Sequence, residues 1–122
     1  MKSLSAVDLT APRLPPQNLE AEQSVLGGIL LDNTAMAKAM EVLTDQEFYR
    51  TAHRKIYQAM LELSDRGEVI DQITLTECLK GRSELDAVGG SAYLAELVQA
   101  VPTAANIRYH SKIVRDKALL RG

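Results

Sequence analysis

The sequence predicts an all-α fold, a compact bundle of about six helices. Aromatic residues make up only 4% of the 122 residues and tryptophan is absent, although 46% are hydrophobic. A core filled by Leu, Ile, Val, Met and Ala is typical of packed helices, because strands favour aromatic and β-branched residues. Apolar residues recur three and four positions apart, and no segment shows the sustained alternation of a half-buried strand.

The composition also limits the function classes. A net charge of -2 and a pI near 5.7 argue against nucleic-acid binding by the domain as a whole, because phosphate contacts need a basic surface. Cys78 is the single cysteine, which excludes an internal disulfide and a multi-cysteine zinc site and predicts a small core residue. Neither a signal peptide nor an apolar run of bilayer length is found, so we predict a cytoplasmic protein with no membrane partner.

The first helix follows a proline-rich segment. Residues 1–17 hold three of the four prolines and show no apolar period, which predicts a flexible N-terminal tail. Asn18 then offers an N-cap for a helix. Gly27 and Gly28 lie inside this helix, where each costs roughly 1 kcal/mol relative to alanine, so we expect another backbone to pass close to that face. The apolar positions of the helix are Val25, Leu26, Ile29 and Leu30.

Two further helices come next. Asn33 or Thr34 can start the second helix, and residues 44–47 form a turn. The third helix has the clearest apolar stripe, ends at Gly67 and is predicted to be the central packing helix. The apolar positions of the two helices are Met36, Met40 and Leu43, and Ala52, Ile56, Ala59, Met60 and Leu63.

The fourth and fifth helices are short. The fourth begins with the capping-box sequence Thr74 to Glu77 and ends at Gly81. Gly89 and Gly90 then break the chain, and Ser91 is expected to cap the fifth helix. The inward positions are Leu75, Cys78 and Leu79 in the fourth helix and Leu94, Leu97, Val98 and Val101 in the fifth.

The last helix is predicted to run from Ala104 to Arg121 after a cap by Thr103. It shows no stop signal before its final leucines, so we expect it to be one part of something longer. At about 100° per residue, its apolar residues form two seams on separate sides of the helix. The first seam is Ile107, Val114 and Ala118, and the second seam is Tyr109, Ile113 and Leu120.

A helix that docks on its own domain needs one apolar seam, so the second seam predicts contact with a continuation of the chain or with a second subunit. All six seam residues are therefore candidate interface positions. Between the seams runs a basic stripe, formed by Arg108, Lys112 and Arg115. Residues 104–122 carry five basic residues against one acid, a local charge of +4. The basic stripe predicts contact with an acidic partner or a phosphate, and a solvated helix face is the alternative interpretation.

No catalytic or metal site can be assembled from the sequence. His53 and His110 are the only histidines, and the absence of metal-binding spacing predicts a partly exposed helix histidine in each case. The step from Gly89 to Ser91 could cradle a phosphate at a helix start, but the lysine of a Walker motif is missing and a glycine turn is the better interpretation. We therefore predict that this chain is not an enzyme and holds no cofactor.

Two long blocks, from Leu14 to Gly28 and from Val101 to Arg121, carry a family resemblance. Three shorter blocks, Phe48 to His53, Ile70 to Asp71 and Val88 to Gly90, lie between them in the family's order and spacing. Together they resemble the N-terminal domain of the bacterial replicative DNA helicase, the DnaB type. The resemblance covers nearly everything after the N-terminal tail.

The resemblance implies a globular helical domain at 18–102 and, at 103–122, the first arm of a helical hairpin that is truncated here. In this family the N-terminal domains pair through their hairpins and form a collar on a hexameric ring. The collar docks primase, and a helicase loader is a further partner. The motor that uses ATP and Mg and moves along DNA is absent from this chain, so none of its catalytic residues can be assigned here and DNA binding is implied only through that motor.

Two other function classes remain open at this point. Glycine turns between the third and fifth helices are compatible with a helix-turn-helix DNA-binding module, although residues 91–101 contain no Lys or Arg. The other is a small metal-dependent enzyme that uses His53 and His110. Salt-dependent binding to duplex DNA would favour the first, and stoichiometric zinc in the purified protein would favour the second.

Overall fold

A computed structural model describes residues 14–122. Within this range the chain forms six α-helices and two short 3-10 helices and no strand, which confirms the predicted all-α class. The predicted tail falls mostly outside the described residues, and residues 14–17 are not helical. The helices are α1 (Leu19–Leu31), α2 (Thr34–Met40), α3 (Thr51–Asp65), α4 (Gln72–Gly81), α5 (Gly90–Gln99) and α6 (Ile107–Arg121), and the 3-10 helices are Asp45–Glu47 and Asp86–Val88.

The first helix lies at the centre of the domain. It packs against α2, α3, α5 and α6, whereas α3 packs against α1, α4 and the two 3-10 helices. The prediction that the third helix is central was therefore wrong. The reason is that α1 carries apolar or small residues on nearly all sides: Val25, Leu26 and Ile29 are fully buried, and both of its glycines are buried as well. A helix that is apolar all round is buried all round.

The paired glycines of α1 are explained by a neighbouring backbone, as predicted. A Cβ atom built at Gly27 would overlap the carbonyl oxygen of Leu97 in α5 and lie 2.7 Å from Val101 Cγ2. At Gly28 a Cβ would meet Ala104 and Ile107 at ordinary contact distance, with nothing closer than 3.6 Å. The close approach therefore depends on Gly27, and it brings the end of α5 directly against α1.

An aromatic pair connects the 44–48 turn to α3. The rings of Phe48 and Tyr57 have centroids 4.9 Å apart, and both side chains are fully buried. The Tyr57 hydroxyl donates to the carbonyl oxygen of Leu43 at 3.1 Å. Burial, with a smaller contribution from the charges of Glu47 and Asp45, raises the pKa of Tyr57 well above its ordinary value. The phenol therefore acts as a neutral hydrogen-bond donor that holds the turn on α3.

Three helix starts differ from the sequence predictions. The capping box of α4 is formed by Asp71 and Thr74, because Asp71 accepts from Thr74 N at 2.8 Å while Thr74 Oγ1 accepts from Asp71 N at 2.9 Å. Helix α5 begins at Gly90 after Gly89 in the left-handed conformation, with φ of 108°, so Ser91 lies inside the helix and is not its cap. Glycine tolerates this conformation where other residues are strained.

The last helix begins at Ile107, three residues later than predicted. The preceding residues 104–106 form a turn, in which Thr103 Oγ1 accepts from Ala105 N at 3.1 Å. Thr103 therefore caps a turn and not the helix itself. Among residues 14–122, no helix combines the length and apolarity that a transmembrane span requires.

Candidate assembly surface and buried polar cluster

One side of α6 belongs to the core of its own domain. Ile107 and Val114, both in the first predicted seam, are buried at 2% and 1% exposure, and Ala118 is half-buried. Ser111 lies on the same side and is fully buried, and its hydroxyl has no hydrogen-bond partner among the described residues. The first seam is therefore used within the chain, by packing on α1 and α2.

The second seam faces outward. Tyr109 and Leu120 are 67% and 69% exposed, while Ile113 is half-buried and packs against the core at its edge. Leu119, which the sequence did not assign to either seam, is equally exposed at 71%. Leu119 points about 100° away from Leu120, so the exposed face of the second seam consists of Tyr109 and Leu120 with Ile113 at its edge. Exposed apolar side chains that share one face of a helix are a candidate interaction surface. Beside them lies a hollow of about 290 Å³ between α1 and α6, lined in part by Ser24, Tyr109 and Ile113.

The basic stripe is exposed along its length. Arg108, Lys112 and Arg115 all lie in solvent. Arg108 Nη2 is 3.3 Å from Glu41 Oε1 and Arg115 Nη2 is 3.8 Å from Asp116 Oδ1, with every partner about half exposed or more. Exposed ion pairs of this kind contribute little to stability, about 0–1 kcal/mol each. The stripe is thus free to form other contacts.

The end of α6 is fixed to the rest of the domain by one arginine. Arg121 Nη1 donates to the carbonyl oxygen of Pro16 at 2.8 Å, and Nη2 donates to the carbonyl oxygen of Glu47 at 2.7 Å. The guanidinium also lies over the ring of Tyr49, 5.3 Å from its centroid. Because Arg121 holds α6 against the segment before α1 and the 44–48 turn, the orientation of the helix and of its exposed seam is defined.

A buried polar cluster was missed by the sequence analysis. His53 is fully buried, so the prediction of a partly exposed helix histidine was wrong for this residue. His53 Nδ1 lies 2.8 Å from Glu22 Oε1, and His53 Nε2 lies 2.6 Å from the Tyr93 hydroxyl. Glu22 also accepts from the backbone amides of Tyr49 at 2.7 Å and Arg50 at 3.4 Å. Its carboxylate therefore sits at the N-terminus of α3, where the helix dipole favours an anion.

The hydrogen bonds of this cluster are satisfied by a neutral histidine. Nδ1–H donates to Glu22, and Nε2 accepts from Tyr93, whose oxygen in turn accepts from Gln23 Nε2 at 3.2 Å. This tautomer is inferred from the donors and acceptors around the ring. Although Glu, His and Tyr are aligned as in a catalytic relay, the carboxylate is fully engaged by backbone amides and the histidine by its two neighbours. The cluster joins α1, α3 and α5.

The spacing of residues within the two helices indicates that Glu22 and His53 are buried. Glu22 lies three and seven residues before Val25 and Ile29, and His53 lies three and seven residues before Ile56 and Met60. Each polar residue therefore lies on the same helix face as an apolar stripe, and that face packs on the core. What the sequence could not show is that the two faces meet, 31 positions apart in the chain.

The geometry removes support from the two alternative function classes. Among residues 14–122, no group of three His, Cys, Asp or Glu side chains is placed to hold a metal ion. His53 is sealed beside Glu22 and Tyr93, while His110 is half-buried on α6. Helix α5 is the last helix of the helix-turn-helix alternative. Its Leu94 and Leu97 lie in the core, and its sequence holds no basic residue with which to contact phosphates.

The described residues form an all-α domain whose last helix buries one side and exposes apolar residues on another. A family model described as DnaB-like helicase N terminal domain matches residues 14–116, and the chain belongs to this family.

Similar proteins agree with this assignment. The chain is 49% identical over 114 residues to the replicative DNA helicase DnaB of Geobacillus stearothermophilus and 54% identical over 114 residues to the replicative DNA helicase DnaC of Bacillus subtilis. Each match covers 93% of this chain and 25% of the relative, so the chain spans about a quarter of the length of these proteins. The crystal structure of the N-terminal domain of DnaB helicase from Mycobacterium tuberculosis superposes with a TM-score of 0.87 at 50% identity, over 88% of this chain and 75% of that one.

Proposed function

We propose that this chain is the assembly and docking domain of a replicative DNA helicase, which acts in the bacterial cytoplasm. Through the second seam of α6 it would contact a second copy and the continuation of its own helix, and so help a hexameric ring to form. It would also bind primase and couple unwinding to primer synthesis, with a helicase loader as a further partner. The ATP- and Mg-dependent motor that contacts DNA belongs to a part of the longer protein that this chain does not include.

One observation carries the proposal: the second seam of α6 exposes Tyr109 and Leu120 at about two thirds of their surface, in a helix whose first seam is fixed in the core. Burying a large apolar side chain is favourable by roughly 1.5–3 kcal/mol when the burial is complete. The position of this face at the end of a domain from the helicase family supports an assembly role.

The test is the molar mass of the chain by light scattering, alone and mixed with the C-terminal domain of a primase. We expect a mass above that of the monomer that falls on dilution, and a heavier species in the mixture. We also expect no ATP hydrolysis by the chain, because it contains no Walker motif. If the chain is strictly monomeric and does not bind the primase domain when each protein is at tens of micromolar, both parts of the proposal are contradicted.

A further inference from the structure

The segment before α1 contacts the last turn of α6. Leu14, Pro15 and Pro16 are exposed, and residues 14–17 are not helical. The carbonyl oxygen of Pro16 accepts a hydrogen bond from Arg121 Nη1 at 2.8 Å, although the two residues are 105 positions apart in the chain. Among the described residues, this is the one hydrogen bond that residues 14–17 make. We call residues 14–17 the N-terminal strap.

Arg121 joins the N-terminal strap to a well-fixed part of the domain. Its Nη2 donates to the carbonyl oxygen of Glu47 at 2.7 Å, and the guanidinium lies 5.3 Å from the centroid of the Tyr49 ring. The backbone amide of Tyr49 donates to the buried carboxylate of Glu22 at 2.7 Å. Phe48, which lies between Glu47 and Tyr49 in the chain, is fully buried. The turn therefore offers fixed contact points to Arg121, whereas the strap is exposed.

The end of α6 lies outside the core. Val114 is the last buried residue of the helix, and beyond it Ala118 and Arg121 are half-buried while Leu119 and Leu120 are exposed. Helix ends of this kind open readily, because little apolar surface is exposed when the last turn unwinds. Arg121 directly follows Leu120, which belongs to the second seam. The direction in which Leu120 points therefore depends on the contacts of Arg121.

A guanidinium is well suited to hold three segments together. It is planar and carries several N–H donors in fixed directions, so it can bind two carbonyl oxygens at once and still lie over an aromatic ring. Here one carbonyl belongs to the N-terminal strap, and the other belongs to the turn at Glu47. If the strap moves away, Arg121 Nη1 loses its acceptor and the last turn of α6 keeps only its contacts with the turn.

We propose that the N-terminal strap controls the orientation of the second seam. When the Pro16 carbonyl is bound by Arg121, the last turn of α6 is closed and Leu120 is held in position for a second copy; when the strap is released, the turn opens. The proposal rests on the proposed role of the second seam in assembly and adds a means of regulating it. By linkage the effect is reciprocal, since a second copy that binds the closed turn also favours the attached strap.

Two truncated chains, both with an acetylated N-terminus, test the strap. One lacks residues 1–13 and keeps the strap, and the other lacks residues 1–16 and with them the Pro16 carbonyl. Hydrogen exchange of the amides from Ala118 to Arg121 is measured on the dilute chains, with the amides of α4 as the internal reference. We expect exchange at least about fivefold faster in the chain that lacks residues 1–16, because a hydrogen bond from a charged group is lost.

Arg121→Ala in both truncated chains shows whether the strap acts through Arg121. In this background the loss of residues 14–16 should change the exchange of the last turn by less than about 1.5-fold, because the strap no longer has its partner and the two changes share one interaction. If the strap still changes exchange fivefold without Arg121, it acts through other contacts and the proposal is overturned. Equal exchange in the two truncated chains that retain Arg121 would overturn it as well.

Sedimentation equilibrium of the same four chains measures the effect on assembly. If the last turn is closed about nine tenths of the time, a fivefold increase in opening leaves it closed about two thirds of the time. A pair needs two closed copies, so the chain that lacks residues 1–16 should associate about twofold more weakly than the chain that lacks residues 1–13. Their free energies of unfolding in urea should be equal, because the strap is outside the core. Faster exchange with an unchanged association constant would contradict control of the second seam.

The failure of this proposal is distinguishable from the failure of the assembly role, because the exchange measurement does not need self-association. If the chains associate but the two truncations exchange equally, the assembly role stands and the strap proposal is overturned. If all four chains stay monomeric, the assembly role fails, and control of assembly by the strap fails with it even where exchange shows that the strap holds α6.

Discussion

Gly27 is the residue whose replacement is most sharply constrained by the fold. We expect Gly27→Ala to destabilise the domain by about 1–3 kcal/mol, because the added methyl group overlaps the Leu97 carbonyl oxygen, which belongs to the backbone of α5 and cannot move aside without displacing the helix. The gain in helix propensity, roughly 1 kcal/mol, does not offset a backbone clash. Urea unfolding followed by circular dichroism measures the change.

Gly81 and Gly28 provide matched controls for this substitution. At Gly81 nothing lies within 4 Å of the added Cβ, so Gly81→Ala should stabilise the domain by up to about 1 kcal/mol through helix propensity alone. At Gly28 the contacts are of ordinary length, and the change in stability should be small. Equal effects at the three positions would mean that α1 and α5 are not in close contact.

Glu22 is the residue on which the buried polar cluster depends. Glu22→Ala removes the acceptor for the His53 ring and for the amides of Tyr49 and Arg50, so three donors lose their partner. An unsatisfied buried donor costs about 1–3 kcal/mol, and of the three only the His53 ring is fully buried, so we expect a loss of about 1–3 kcal/mol in the free energy of unfolding. Thermal unfolding of the variant measures it.

The comparison for Glu22 is its neighbour Glu20, an exposed acid in the same first turn of α1. Glu20→Ala removes only a favourable interaction with the helix dipole and should cost less than about 1 kcal/mol. If the two substitutions were equivalent, Glu22 would act only as a surface charge and the cluster would contribute nothing to the fold.

At the scale of elements, the accuracy of the sequence predictions depends on where the deciding interaction lies. The start of α1 was predicted correctly because Asn18 Oδ1 accepts from Ala21 N, three residues away. The start of α4 was predicted at Thr74. Two capping-box patterns overlap there, Thr74 to Glu77 and Asp71 to Thr74, and spacing alone does not show which of them caps the helix. The start of α6 was placed too early, since Thr103 satisfies a turn whose existence depends on how Ala104 packs on Gly28.

The last turn of α6 is expected to depend on Arg121. Arg121→Ala removes two charge-assisted hydrogen bonds, to Pro16 and Glu47, and the contact with Tyr49. Hydrogen bonds from charged groups contribute about 1.5–3 kcal/mol, so local opening of this turn should become at least tenfold more frequent. Hydrogen exchange of the amides from Ala118 to Arg121 measures this, with α4 expected to remain unchanged.

Arg115→Ala is the control on the same helix, because Arg115 is exposed and, among residues 14–122, its one ion pair is with the neighbouring Asp116. Its effect on exchange in the last turn should be within about twofold. An Arg121 variant with the same protection as the parent would show that core packing by Val114 holds the end of α6 without the arginine.

At the scale of the whole molecule, the fold class and the order of the helices were predictable, while the contacts between helices were not. Period, caps and glycine breaks are local properties, and they located the six helices within a few residues. Which helix is central is a global property: α3 has the cleaner stripe, but α1 is surrounded because its polar face is small. The two seams of α6 were visible in the sequence, but only the structure shows that Ile107 and Val114 face inward and Tyr109 and Leu120 outward.

The second seam leads to a prediction about assembly. We expect Leu120→Glu to leave the domain folded and to weaken self-association at least tenfold, because a charge placed in an apolar contact must be desolvated without a partner. Leu120 is preferable to Ile113 for this test: Leu120 is 69% exposed, whereas Ile113 packs against the core, so a charge there would also lower the stability of the monomer. Sedimentation equilibrium gives the association constant, and circular dichroism checks the fold.

Leu14→Glu is the matched control for the assembly prediction. Leu14 is 72% exposed, as open as Leu120, but it precedes α1 and lies outside both seams. If exposed leucines promote association only through general hydrophobicity, the two substitutions should weaken it equally. If the second seam is the contact, Leu14→Glu should leave the association constant within about twofold of the parent while Leu120→Glu lowers it by the full factor, since a specific interface places its free energy in a few central apolar residues.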